Sequence, residues 1–286
     1  MGGTKSVNGR GWFVTGTDTG VGKTHVTALL LASLRQSGVD AVPMKPVQTG
    51  CLRRGGVFVA PDLETALAAA GLTPAPAEKR WMCPARFRTP CSPDLAAARD
   101  GGRIRMRDLG AAYRHLAARH ASVVVEGAGG IMAPLNARET ILDLMRALRL
   151  PVLLVARAGL GTINHTLLSL AALRAAGLPL AGVVLNATQR GEGRGLVASN
   201  RAAIERLGSV KVLAVLPWRA AYNGTLFRKV WRLCFVHKQF AASPEPSYRR
   251  LASSSMRAGM SSKRFTRNNS PCPRRVSLRH KASFTL

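Results

Sequence analysis

Between Gly16 and Thr24 the chain reads Gly-Thr-Asp-Thr-Gly-Val-Gly-Lys-Thr, directly after the apolar run Trp12-Phe13-Val14. A short strand, a glycine-rich turn and a helix starting near Lys23 make a cradle for phosphate. The backbone N–H groups of Gly20, Val21 and Gly22 point inward, and the helix N-terminus adds its positive end. In such a cradle Lys23 reaches the outer phosphates and the Thr24 hydroxyl is placed to ligate Mg²⁺. The strict pattern puts its leading glycine at Thr17; here it stands one residue earlier, at Gly16. An ordinary glycine turn before a helix would show some of these features. The reading rests on their occurring together.

Four further polar residues fall where chemistry could use them. Lys45 ends an apolar run in Lys45-Pro46-Val47-Gln48-Thr49-Gly50, where Pro46 stiffens the turn. Glu126 follows Val123-Val124-Val125 and precedes Gly127-Ala128-Gly129-Gly130, a place for a carboxylate that faces the cradle. Asp62 opens a helix and Asn186 ends a strand, where its amide could read the edge of a base. Each also has a plain structural reading: a solvated lysine, a turn acid, a helix-capping acid, a turn amide.

The elements that must hold these residues alternate along residues 1–218. The pattern predicts strands at Trp12–Thr15, Ala41–Met44, Ser122–Val125, Pro151–Val155, Ala181–Leu185 and Val212–Leu216. Helices are predicted at about Gly22–Gln36, Asp62–Ala70, Met106–Arg119, Asn164–Ala176 and Leu196–Leu207, and the Pro-rich stretch Leu72–Pro93 reads as loop. Continuous apolar strands separated by helices predict an α/β fold with a mostly parallel sheet covered on both faces. In such sheets ligands sit at the carboxyl ends of strands, where the polar residues above cluster.

Composition sets the outer bounds. A chain of 286 residues with 47% hydrophobic content is ample for a core. No apolar run approaches about 20 residues, so no membrane span is expected, and Met1–Gly11 shows no secretory leader. Five cysteines (51, 83, 91, 234 and 272) lack metal-like spacing and read as reduced thiols of a cytoplasmic protein. The net charge of +28 is uneven: residues 219–286 carry 15 Lys/Arg against one acid, Glu245. That serine-rich segment has no sustained periodicity and reads as a disordered basic tail. No nucleic-acid partner is expected; a nucleic-acid-binding ATPase using the tail is the alternative from a different class.

The blocks Gly16–Thr24, Lys45–Gly50, Glu126–Gly130, Gly159–Thr166, Ala181–Asn186 and Leu216–Trp218, in this order and spacing, resemble the dethiobiotin synthase family over residues 12–218. The resemblance implies a P-loop NTPase-like domain forming a homodimer. It implies an ATP-dependent cyclo-ligase of biotin biosynthesis acting on diaminopelargonate and CO₂. It implies catalytic roles for Lys23 and Lys45, and Mg²⁺ ligation by Thr24, Asp62 and Glu126. Gly20, Val21, Gly22, Lys23, Thr24, His25, Asp62, Glu126, Gly127, Ala128, Gly129, Asn186, Ala187, Pro217 and Trp218 match its ATP-binding positions. Thr19 and Thr49 match hydroxyls on the substrate side. Gly161, Thr162 and Asn164 resemble a helix start that receives the substrate's distal carboxylate across the dimer.

The chain departs from the family pattern at two places. Ser92-Pro93-Asp94 stands where the family commonly carries Ser-Pro-His. After Trp218 the family continues with an acidic nucleotide-closing loop and a last helix; the abrupt change at Arg219 reads as a shift of reading frame, which leaves an inactive or impaired ATPase as the nearer alternative. A partitioning ATPase would carry a signature lysine at Asp18, and a cobyrinate-amidating synthetase would need a glutaminase domain for which the chain has no room.

Overall fold

Short apolar strands alternate with helices in the computed structural model, which describes residues 11–191 and 193–218. The first half holds β1 (Gly11–Gly16), α1 (Lys23–Gln36), β2 (Ala41–Met44), β3 (Val47–Gln48), β4 (Leu52–Arg54) and β5 (Val57–Val59). There follow α2 (Pro61–Ala69), α3 (Pro76–Met82), β6 (Ala85–Arg86), α4 (Pro93–Arg99) and α5 (Met106–Ala117). The second half holds β7 (Ser122–Glu126), α6 (Ile141–Leu148), β8 (Val152–Arg157), α7 (Thr162–Ala175), β9 (Leu180–Asn186), α8 (Arg194–Gly208) and β10 (Val212–Leu216).

Six strands form one sheet in the order β10-β9-β8-β1-β7-β2, and every pairing in it is parallel. β1 lies inside the sheet, with Phe13 opposite Val125 of β7 on one side and Val152 of β8 on the other. The two-residue period of a strand explains why these runs are apolar throughout. Trp12, Val14, Val124, Leu153 and Val155 pack on one face with Val26, Leu29 and Leu34 of α1. Phe13, Val123, Val125, Val152 and Leu154 pack on the other, with Leu109 of α5, Leu144 of α6 and Leu173 of α7. The α/β, P-loop-like layering expected from the sequence is therefore present.

Several elements are additional to the sequence reading. The stretch 72–93 is not all loop: it contains α3 and β6, and α4 begins at Pro93. Proline signals a break inside a helix but fits its first position, where the missing N–H has no partner to lose. Pro61, Pro76 and Pro93 all stand there. α6 is opened by a capping box in which Thr140 and Asp143 satisfy each other's ends. α7 and α8 each start two residues earlier than predicted, at Thr162 and Arg194.

β4 and β5 form an antiparallel hairpin closed by Gly55-Gly56, both with positive φ as a two-residue turn requires. Leu52, Val57 and Phe58 are exposed on it, whereas its flanks, Cys51 and Ala60, are buried. Among the described residues no helix is long and apolar enough to cross a membrane. The expected basic tail, 219–286, lies outside the described residues.

Candidate active site

Because the six strands of the main sheet run parallel, their carboxyl ends meet at one edge. Gly16, Lys45, Glu126, Arg157, Asn186 and Pro217 end or follow β1, β2, β7, β8, β9 and β10 there. The turn after β1 is shaped by its glycines. Gly20 and Gly22 have φ of 75° and 97°, and Gly22 caps α1 in the left-handed region. A Cβ on Gly16 would meet Val21 at 2.7 Å and the Lys23 stem at 3.1 Å, so the early glycine lets that stem fold back over the turn. Lys23 Nζ donates to the Asp18 carbonyl at 2.8 Å. Burial, reinforced by the charge of Lys45, lowers Lys23 to about 8. A triphosphate beside it would favour its charged form.

Lys45 and Glu126 are only 4% and 2% exposed, so neither charge could stand there alone. Lys45 Nζ lies 2.7 Å from Glu126 Oε1 and 2.6 Å from Asp62 Oδ2, and donates to the Gly127 carbonyl at 3.2 Å. Burial pulls Lys45 down, but the charges of Glu126 and Asp62 outweigh it and the net shift is upward. Burial pushes Asp62 up, yet the Lys45 charge and hydrogen bonds bring it below the ordinary carboxylate value. Thr24 Oγ1 donates to Glu126 Oε1 at 2.8 Å, which ties the first turn of α1 to the same cluster.

Gln48 was not singled out from the sequence, although it sits inside the Lys45–Gly50 block. It is buried, donates to Asp62 Oδ2 and receives the Asp62 N–H, both at 3.3 Å. It therefore fixes the carboxylate that Lys45 meets. Asp62 and Glu126 both meet the Lys45 ammonium and Thr24 Oγ1 meets Glu126, so the three bring hard oxygen donors together, a donor set that fits Mg²⁺. Among the described residues no group of three or more His, Cys, Asp or Glu could hold a metal, so a cation here would rely on the hydroxyl and on ligand oxygens.

Thr19 and Thr49 line a cavity of about 720 Å³ together with Ala128, Gly129 and Ser92. Asp94 does not line it; Ser92 Oγ donates to Asp94 Oδ1 at 2.6 Å, so the acid is turned toward its own helix start. Gly161, Thr162 and Asn164 begin α7 and do not line this cavity in their own chain. Asn186 donates Nδ2 to the Val21 carbonyl at 3.0 Å, and a Cβ on Gly22 would collide with that amide. Ala187, Pro217 and Trp218 line a second cavity of about 470 Å³. His25, half-buried on the first turn of α1, has its imidazole lowered by burial.

A family model described as an AAA domain matches residues 10–225. The ATP-dependent dethiobiotin synthetase BioD of Anaeromyxobacter dehalogenans strain 2CP-C is 51% identical over 209 residues, covering 73% of this chain and 90% of that protein. BioD of Anoxybacillus flavithermus strain DSM 21510 / WK1 is 37% identical over 227 residues, covering 78% of this chain and 99% of that one. Among solved structures, the cell division ATPase MinD of Pyrococcus furiosus superposes with a TM-score of 0.42 at 18% identity over 78% of this chain and 88% of that one, a likeness too weak to carry an argument. Similarity at this level, sustained over nearly the full length of the relatives, settles the family: the chain belongs to the ATP-dependent dethiobiotin synthetases.

Proposed function

We propose that this chain is a cytoplasmic, homodimeric dethiobiotin synthetase that converts diaminopelargonate, CO₂ and ATP into dethiobiotin, ADP and phosphate. The observation that carries the reading is the Lys45 ammonium held between Glu126 and Asp62, one hydroxyl away from the phosphate cradle. A substrate amine adds to CO₂ and becomes a carbamate, whose oxygen attacks the γ-phosphorus as ADP leaves. The second amine then attacks the carbonyl of the carbamic–phosphoric anhydride, closing the ureido ring and releasing phosphate. Each stage crowds anionic oxygens, so positioning and charge neutralisation dominate the catalysis.

Lys23 and the N–H groups of Gly20, Val21 and Gly22 take the phosphates. Lys45 faces the carbamate and anhydride, while Thr19 and Thr49 orient the diamine end in the larger cavity. Thr24, Asp62 and Glu126 would hold Mg²⁺, which supplies charge neutralisation at the phosphate oxygens. With Nδ2 of Asn186 committed to Val21, its Oδ1 is the atom left to accept from adenine, beside Ala187, Pro217 and Trp218. The exposed Met132, Leu160 and Leu168 support a second copy docking near the cavity mouth, where its Gly161, Thr162 and Asn164 would receive the substrate carboxylate.

The decisive test is ADP release by the full chain. It should require diaminopelargonate and bicarbonate together; release indifferent to both would remove the proposal. We take residues 1–218 as the catalytic domain and 219–286 as an appended basic segment. A chain ended at Trp218 is then expected to turn over like the full chain, and loss of turnover on shortening would make the segment part of the enzyme. Glu126→Gln keeps the shape and removes the charge. The Mg²⁺ concentration for half-maximal ADP release should rise about tenfold or more, whereas an unchanged titration would leave Glu126 only as the counter-ion of Lys45.

A further inference from the structure

Asp18 is the only acid between Gly16 and Thr24, and it sits on the turn that would receive a triphosphate. Three groups converge on it. Its Oδ1 accepts the Thr19 N–H at 2.7 Å, its carbonyl accepts Lys23 Nζ at 2.8 Å, and its Oδ2 pairs with Arg157 Nη2 at 3.0 Å. Arg157 is the last residue of β8, the strand beside β1; the turn is joined to that strand again by the Thr17 N–H, which donates to the Val155 carbonyl at 2.9 Å. The pair is half-open to solvent, with 37% of the Arg157 and 51% of the Asp18 side chain exposed. Exposed pairs add little to fold stability, so holding the fold together does not account for it.

Charge placement does. A carboxylate free on this turn would repel an arriving triphosphate and compete with it for the Lys23 ammonium, which already rests on the same residue. We infer that Arg157 is a positioning residue for nucleotide binding: its guanidinium neutralises and orients Asp18, so that Lys23 is delivered to phosphate and not to the Asp18 carboxylate. On this inference Arg157 acts through Asp18 and not by touching the nucleotide itself. The inference rests on reading the turn after β1 as the triphosphate cradle.

Calorimetric titration of the full chain with ATP tests it, with Lys23→Ala as the control for the cradle. Arg157→Ala is expected to weaken ATP binding about tenfold, equivalent to about 1.4 kcal/mol, while melting within about 2 °C of the parent. Arg157→Lys keeps the charge and should lose less. The double variant Asp18→Asn with Arg157→Ala removes both charges and should return to within about threefold of parental affinity. An Arg157→Ala chain that binds ATP like the parent overturns the inference. So does a double variant as weak as Arg157→Ala, since that would mean a tether or a direct phosphate contact. If the parent itself fails to bind ATP, or Lys23→Ala binds as well as the parent, the cradle reading falls instead.

Discussion

Lys23→Ala is expected to lower ATP turnover by about 10²–10³-fold, the scale of losing one preorganised charged donor at a transition state. Two other cations are close enough to suggest rescue, and both are committed. Lys45 is held by Glu126 and Asp62, and Arg157 by Asp18. Neither can reach the phosphates without abandoning a carboxylate, so the lost charge has no substitute. ADP release measured in a single turnover checks this. Activity within about tenfold of the parent would show that the turn after β1 is not the catalytic cradle.

Lys45→Ala should behave differently, because it strikes both chemistry and fold. On the proposed reading, in which Lys45 faces the carbamate side and not the nucleotide, ring closure should be lost while ATP affinity stays within about threefold of the parent. The substitution also strands the Glu126 carboxylate in a buried site with its ion pair gone, a cost of about 3–5 kcal/mol. In EDTA the variant should melt about 10 °C or more below the parent. Mg²⁺, or Glu126→Gln in the same chain, should recover much of that loss by removing the uncompensated charge. A variant that melts like the parent in EDTA would contradict the buried pairing, and one that mainly raises the KM for ATP would move Lys45 to the phosphate side.

The main strands were legible because Val123–Val125 or Leu153–Val155 can be continuously apolar only if both faces of the sheet are covered. That inference also located the residues of the candidate site. Once the sheet is parallel, whatever ends β1, β2, β7 and β9 is gathered at one edge, so Lys45, Glu126 and Asn186 could be grouped before any distance was known. What the pattern hid is tertiary. Gln48 acts on Asp62 across fourteen positions and Arg157 on Asp18 across 139, and no local period records such pairs. The prolines at positions 76 and 93 misdirect for a different reason: the same ring that breaks a helix interior is harmless at its first residue.

The β4–β5 hairpin separates two demands that loops near active sites usually have to meet together. Its base is clamped: the Cys51 N–H donates to the Phe87 carbonyl at 2.9 Å, and the Arg86 guanidinium holds the Phe58 carbonyl at 3.1 Å. Thr49 lies just before the hairpin and Asp62 just after it, while a Cβ added at Gly55 or Gly56 would meet nothing within 4 Å. Chain length at the tip is thereby uncoupled from the spacing between the Thr49 hydroxyl and the carboxylate beside Lys45. Gly55-Gly56 is thus a natural graft point, where an epitope or a reporter fluorophore could be carried a few residues from the candidate site without altering the positions of the groups that form it.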